Sequence, residues 1–227
     1  PFEARRIRVG RYRPMGEPRE SLSAAGRRLP GIQHVSVQRI RPPRVRPGDT
    51  VGVVAPSSPV SPDRLAAGVA VLERWGYRVE VAPHALDNRG HLAGRDEERA
   101  ADLVEMFERP DVRAVFCARG GSGSIRLLPL IDFGSLARTP KLFVGYSDVT
   151  MLHLGLNRAG LATFFGPMVC VELAREFPAS AERCLRGLIE VPEAFGALDD
   201  PERPAQPLVP GRAEGLPGPL GLQVPAE

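Results

Sequence analysis

Between Pro47 and Ile189, apolar runs of strand length alternate with segments of helical period, and few folds accept that alternation. Val51–Ala55 is a short apolar run closed by Pro56-Ser57-Ser58-Pro59. Leu65, Val69, Leu72 and Trp75 then recur at spacings of four, three and three, which is one face of a helix opening at Pro62. Gly76 ends that helix, because glycine accepts the left-handed backbone of a C-terminal cap. Tyr77–Val81 is the next strand. Strand, helix and strand in about 30 residues demand a right-handed parallel crossover.

The pattern continues. Arg95–Phe107 is helical, with Ala101, Val104 and Phe107 on its apolar face and Pro110 beyond it. Val112–Ala118 reads as a buried strand and Ser124–Leu130 as a helix. Leu142–Val144, Val149–Arg158, Ala162–Phe165 and Ala179–Ile189 repeat strand, helix, strand and helix. The expectation is a doubly wound, flavodoxin-like α/β domain with a mainly parallel sheet over residues 47–190. An irregular basic arm, residues 1–46, precedes it, and a Pro/Gly-rich tail, residues 191–227, follows.

The arm holds twelve arginines against Glu3, Glu17 and Glu20, a net +9, so the rest of this +3 chain carries −6. Prolines interrupt the arm, and its two aromatic residues, Phe2 and Tyr12, are too few to interleave its charges in the manner of a nucleic-acid surface; no nucleic-acid partner is expected. No apolar run approaches the roughly 18 to 20 residues that span a bilayer, so no membrane partner is expected either. Cys117, Cys170 and Cys184 are odd in number and lack C-x-x-C spacing, which argues against a disulfide scaffold and for a reducing, cytoplasmic compartment. No histidine–carboxylate spacing suggests a metal, and no cofactor is expected.

Two turns carry the chemistry. Leu142–Val144 runs into Gly145-Tyr146-Ser147-Asp148 and then a helix. A serine at such a sharp strand-to-helix turn projects its hydroxyl from the sheet, with backbone N–H groups nearby to hold an oxyanion. The usual motif is G-x-S-x-G; Val149 stands at the last glycine. The plainer reading of Ser147 is a helix cap. Upstream, strand Val112–Ala118 runs into Arg119-Gly120-Gly121-Ser122-Gly123-Ser124. It lacks the G-K-[ST] of a phosphate loop, and Arg126 stands where a dinucleotide fingerprint needs its last glycine. The two turns are expected side by side at the carboxyl edge of the sheet.

Arg119-Gly120-Gly121 with Gly123, Arg126-Leu127-Leu128, Asp132, Gly145-Tyr146-Ser147-Asp148 and Gly166-Pro167-Met168 resemble the LD-carboxypeptidase family, which includes muramoyl-tetrapeptide carboxypeptidases and microcin C self-immunity peptidases. Val51–Ser57 and Leu92–Leu103 are similar to it as well, and the resemblance runs from about Arg46 to Val171. One departure is Ser122, where the family usually has tyrosine.

The resemblance implies a Ser–His–Glu triad with Ser147 as nucleophile. It implies removal of a C-terminal D-amino acid from murein-type peptides. Gly121 and Asp148 are the candidate oxyanion N–H donors. Arg119 either pairs with an acid near its turn or holds a substrate carboxylate. The family's histidine and glutamate come from a C-terminal domain and match no position here. His153, six residues beyond Ser147, is either the base or a helix-face histidine. Leu208–Gly215 resembles the opening of that second domain, so the tail is expected to be its remnant and the chain a truncated form, with two copies able to associate. The rival readings are an inactive fragment and a small-molecule-binding α/β module.

Overall fold

The computed structural model describes residues 39–191; the expectations for the first 38 residues and for 192–227 lie outside the described residues. Five strands, β1 (Thr50–Val54), β2 (Arg78–Val81), β3 (Val112–Cys117), β4 (Leu142–Gly145) and β5 (Phe164–Phe165), form a sheet of order β2-β1-β3-β4-β5. Every pairing is parallel. The expected doubly wound sheet is therefore present.

The helices are α1 (Pro62–Arg74), α2 (Asp96–Glu108), α3 (Phe133–Arg138), α4 (Thr150–Arg158) and α5 (Ala179–Glu190). Ser61 caps α1 by accepting the Arg64 N–H, and Pro62 fills the first turn, where no N–H is required. The central strands β1, β3 and β4 are buried on both faces apart from the exposed Arg113, which is why they read as mainly apolar runs. α3 touches both α2 and α4. α1 and α5 meet around Trp75, where the Arg186 guanidinium sits 6.0 Å from the indole centroid. Beside them the Tyr77 hydroxyl donates to Glu190.

Three expectations are corrected. Ser124–Leu130 is a 3-10 helix with Pro129 inside it; proline lacks the N–H that an α-helical ladder would use there. The short helix α3 and a π-helical turn at Val169–Leu173 were not expected, since neither is long enough to show a period. The folded chain also begins before Pro47. Ile40 makes a parallel bridge with Leu161, and Val45 is fully buried with its N–H bonded to the Ile189 carbonyl at 3.0 Å.

Candidate active site at the carboxyl edge of the sheet

The chain leaves β1 toward β2, then returns to lay β3 on the other side of β1. At such a reversal the connections diverge and leave a crevice at the carboxyl ends of the strands. Three turns converge there: Pro56–Pro59 after β1, Arg119–Gly123 after β3, and Tyr146–Val149 after β4.

Ser147 has φ +64, the one positive φ of a non-glycine residue among the described residues. A side chain in that region is strained, and such strain concentrates where function holds a residue in place. Ser147 is exposed and opens a short 3-10 turn into α4. Thr150 Oγ1 donates to the Ser147 carbonyl at 2.6 Å and steadies the turn. Val149 at the last motif position is also explained. A Cβ built on Gly145 would lie 2.9 Å from Val149 Cγ2 and 3.0 Å from Cys117 Cβ, so the bare glycine accommodates a valine that is itself fully buried.

The two sequence turns do lie together. A Cβ on Gly120 would sit 2.9 Å from Ser147 Cβ and 3.0 Å from its Oγ. Gly120 is thus the glycine that backs on the serine. Gly121, with φ +120, faces Ser58 instead; a Cβ there would fall 2.2 Å from Ser58 Oγ. Ser58 Oγ in turn accepts the Ser122 N–H at 3.2 Å.

Asp148 fastens the three turns. Its Oδ2 accepts from Ser57 Oγ at 2.7 Å and from the Ser124 N–H at 2.9 Å, and its carbonyl accepts from Ser124 Oγ at 2.5 Å. Ser57 and Ser124 are both fully buried. Neither was singled out from the sequence for this role; a serine in the turn after β1 and another closing the glycine turn after β3 were the available signals. Asp148→Ala leaves a buried hydroxyl and a buried N–H unpartnered, each costing about 1 to 3 kcal/mol. The expected net loss is about 2 kcal/mol in urea unfolding, with a smaller loss for Asp148→Asn. Wild-type stability in the alanine variant would remove Asp148 as the fastener.

Arg119 has no carboxylate partner among the described residues, which corrects the expectation of an ion pair. Its guanidinium is exposed and donates to the carbonyls of Gly120 at 3.3 Å and Pro59 at 3.2 Å, at the mouth of the crevice. On the other flank the Tyr146 hydroxyl donates to Glu172 Oε1 at 2.6 Å, and the Met168 N–H donates to Glu172 Oε2 at 2.9 Å. That hydrogen bond, with burial second, pushes the Tyr146 phenol up to about 12. The π-helical turn that delivers Glu172 is packed on α1: a Cβ on Gly68 would fall 2.1 Å from the Val169 carbonyl oxygen. π-turns are uncommon and recur at functional sites.

His153 is a buried helix-face residue. Gly145 O can only accept, so Nε2, 2.9 Å away, carries the proton. Nδ1, 2.8 Å from Thr163 Oγ1, then accepts from that hydroxyl. Both ring nitrogens are engaged, and neither is left to take a proton from Ser147. Burial depresses the pKa of His153. The sign follows: above about pH 6.5 both folded and unfolded forms are neutral, whereas below it the unfolded chain takes up a proton that the folded chain resists. Stability is therefore lost as pH falls from about 6.5 toward the folded-state value. His153→Gln should lose less stability between pH 7 and pH 5 than the parent does, read as the difference between urea midpoints. Equal losses in the two proteins would show that His153 does not titrate in this way.

A putative carboxypeptidase of Streptomyces coelicolor is 44% identical over 183 residues, covering 78% of this chain and 57% of the relative. A probable murein peptide carboxypeptidase of Bacillus subtilis is 39% identical over 176 residues, covering 77% and 55%. The chain thus spans a little over half the length of these curated relatives. The crystal structure of a muramoyltetrapeptide carboxypeptidase from Oxalobacter formigenes superposes with a TM-score of 0.58 at 32% identity, covering 61% of this chain and 47% of that one. Residues 51–166, which run from Val51 in β1 through β5 and include the Ser147 turn, match the LD-carboxypeptidase N-terminal domain, and the chain belongs to that family.

Proposed function

We propose that this domain supplies the nucleophile half of a serine-type LD-carboxypeptidase acting on cytoplasmic murein peptides. The observation that carries the reading is Ser147: exposed, strained at φ +64, and set at the carboxyl edge with Gly120 against it. Ser147 Oγ attacks the carbonyl carbon of the bond to a C-terminal D-amino acid. The developing oxyanion is held by the backbone N–H groups of Asp148 and Gly121, and the amine of the D-amino acid leaves. Arg119, exposed beside the crevice and free of a carboxylate partner among the described residues, holds the substrate's terminal carboxylate. A serine hydroxyl needs a base to take its proton. In this reading the base and its orienting carboxylate come from outside residues 39–191.

The test is a chimera in which residues 51–166 replace the matching segment of the Bacillus subtilis relative, assayed on an L,D-linked tetrapeptide. Release of the terminal D-amino acid that disappears with Ser147→Ala supports the reading. A folded chimera whose turnover is indifferent to Ser147→Ala rejects it. An Arg119→Ala effect confined to kcat, with KM unmoved, would reject the carboxylate-binding role alone.

A further inference from the structure

Apart from the nucleophile turn, the loop between β2 and α2 brings three ligating side chains together. A ring nitrogen of His84, a carboxylate oxygen of Asp87 and one of Glu98 all lie within 4.8 Å of one another. Their spacings of three and eleven residues span a loop and a helix start, so no periodic motif announces them. Two further observations bear on what the cluster is for.

The first is the setting of His84. Its Nδ1 is 2.8 Å from Asp102 Oδ1, and Asp102 Oδ2 also accepts the His84 backbone N–H at 3.1 Å. Asp102 is buried on α2, at 3% exposure, with both its oxygens committed to this one histidine. A carboxylate fixing Nδ1–H orients the ring and leaves Nε2 as the ligating nitrogen, which is how metal-binding histidines are commonly held. The second is the convergence of the two acids. A Cβ built on Gly94 would lie 3.3 Å from Glu98 Oε2 and 3.4 Å from Asp87 Oδ2, so both carboxylates close over a bare glycine with φ +93. The Asp87 N–H donates to the His84 carbonyl at 3.0 Å, and its carboxylate accepts no hydrogen bond among the described residues. Glu98 accepts the Arg95 N–H at 2.8 Å and has the Arg95 guanidinium at 3.8 Å. Two carboxylates brought together beside a fixed imidazole repel one another unless a cation neutralises them.

We propose that His84, Asp87 and Glu98 form a site for one divalent transition-metal ion of zinc type. One imidazole and two carboxylates with a water in the fourth position is an ordinary donor set for that ion. Bonds of about 2.0 to 2.2 Å require the ligand atoms to draw closer than 4.8 Å, which the exposed Asp87 and first-turn Glu98 side chains permit. The ion staples the loop to α2. That loop also reaches the nucleophile site: the Ala93 N–H donates to the Ser57 carbonyl at 2.9 Å, and Leu92 lies beneath Gly123. The proposal is independent of the peptidase reading.

The experiment is calorimetric titration of the full chain with ZnCl2, with Co2+ absorption as a geometric readout and CaCl2 as the hard-cation control. One saturable Zn2+ site is expected, with a visible tetrahedral Co2+ band and a raised Tm. Asp87→Asn and Glu98→Gln should each weaken binding at least about tenfold, and Glu97→Gln, at the neighbouring exposed position, should not. His84→Ala should abolish it; should that variant misfold, the Asp87→Asn result decides, because the Asp87 side chain makes no hydrogen bond among the described residues and the substitution leaves its backbone unchanged. No saturable Zn2+ binding, binding unmoved by Asp87→Asn, or selective binding of Ca2+ would each overturn the proposal.

Discussion

Given an L,D-linked tetrapeptide, the 227-residue chain alone is expected to turn over about 10⁴ to 10⁶ times more slowly than a chimera carrying residues 51–166 in a full-length relative. A nucleophile without its base retains only what binding and an oxyanion hole supply, and removal of triad members in serine hydrolases costs that much. No hydrogen bond to Ser147 Oγ is formed among the described residues, and the nearest candidate in sequence, His153, spends both nitrogens on Gly145 and Thr163. The measurement is D-amino acid release by the chain, by Ser147→Ala and by the chimera at equal concentration. Ordinary, Ser147-dependent turnover by the chain alone would place the base within it. With both nitrogens of His153 engaged, His34, His84 and His91 would then be the first residues to mutate.

The largest loss of stability is expected at a position far from the nucleophile in sequence. Gly68 lies on α1 against the π-helical turn, and a methyl group there would meet the Val169 carbonyl oxygen at 2.1 Å and Val169 Cγ1 at 2.6 Å. The obstacle is backbone, which cannot rotate aside, so helix and turn must separate. Gly68→Ala should cost about 3 kcal/mol, at the upper end of overpacking penalties and against the roughly 1 kcal/mol that alanine otherwise gains over glycine in a helix. Gly90→Ala is the contrast. Nothing lies within 4 Å of a Cβ there, and its φ of +69 leaves only backbone strain, about 1 kcal/mol. Chemical denaturation of the two variants separates these cases. A Gly68→Ala protein as stable as its Gly90→Ala counterpart would mean that α1 and the π-turn are not in close contact.

The clash at Gly68 also bears on the active-site flank. The same π-turn delivers Glu172, whose two carboxylate oxygens hold the Tyr146 hydroxyl and the Met168 N–H. Tyr146 is the residue immediately before Ser147. Displacing the turn therefore loosens the β4 connection as well as the core.

The alternation of strand and helix, their boundaries to within a residue or two, and the glycine-rich turns beside Ser147 were legible in the chain because each rests on local physics. Buried parallel strands are continuous apolar runs, helices repeat their apolar face every three or four residues, and glycine marks backbone that other residues resist. Tertiary contacts decided the rest. The Ser124–Leu130 segment became 3-10 around Pro129, and Val45 was drawn into the core although its neighbours are arginine and proline. The Asp148 fastener joins residues 91 and 24 positions apart, and the loop of His84 is held by Asp102, 18 residues on. Such pairings exist only once the sheet order places the ends of β1, β3 and β4 beside one another. A side chain's neighbours across that edge are set by how distant segments pack, and no local period of the sequence records them.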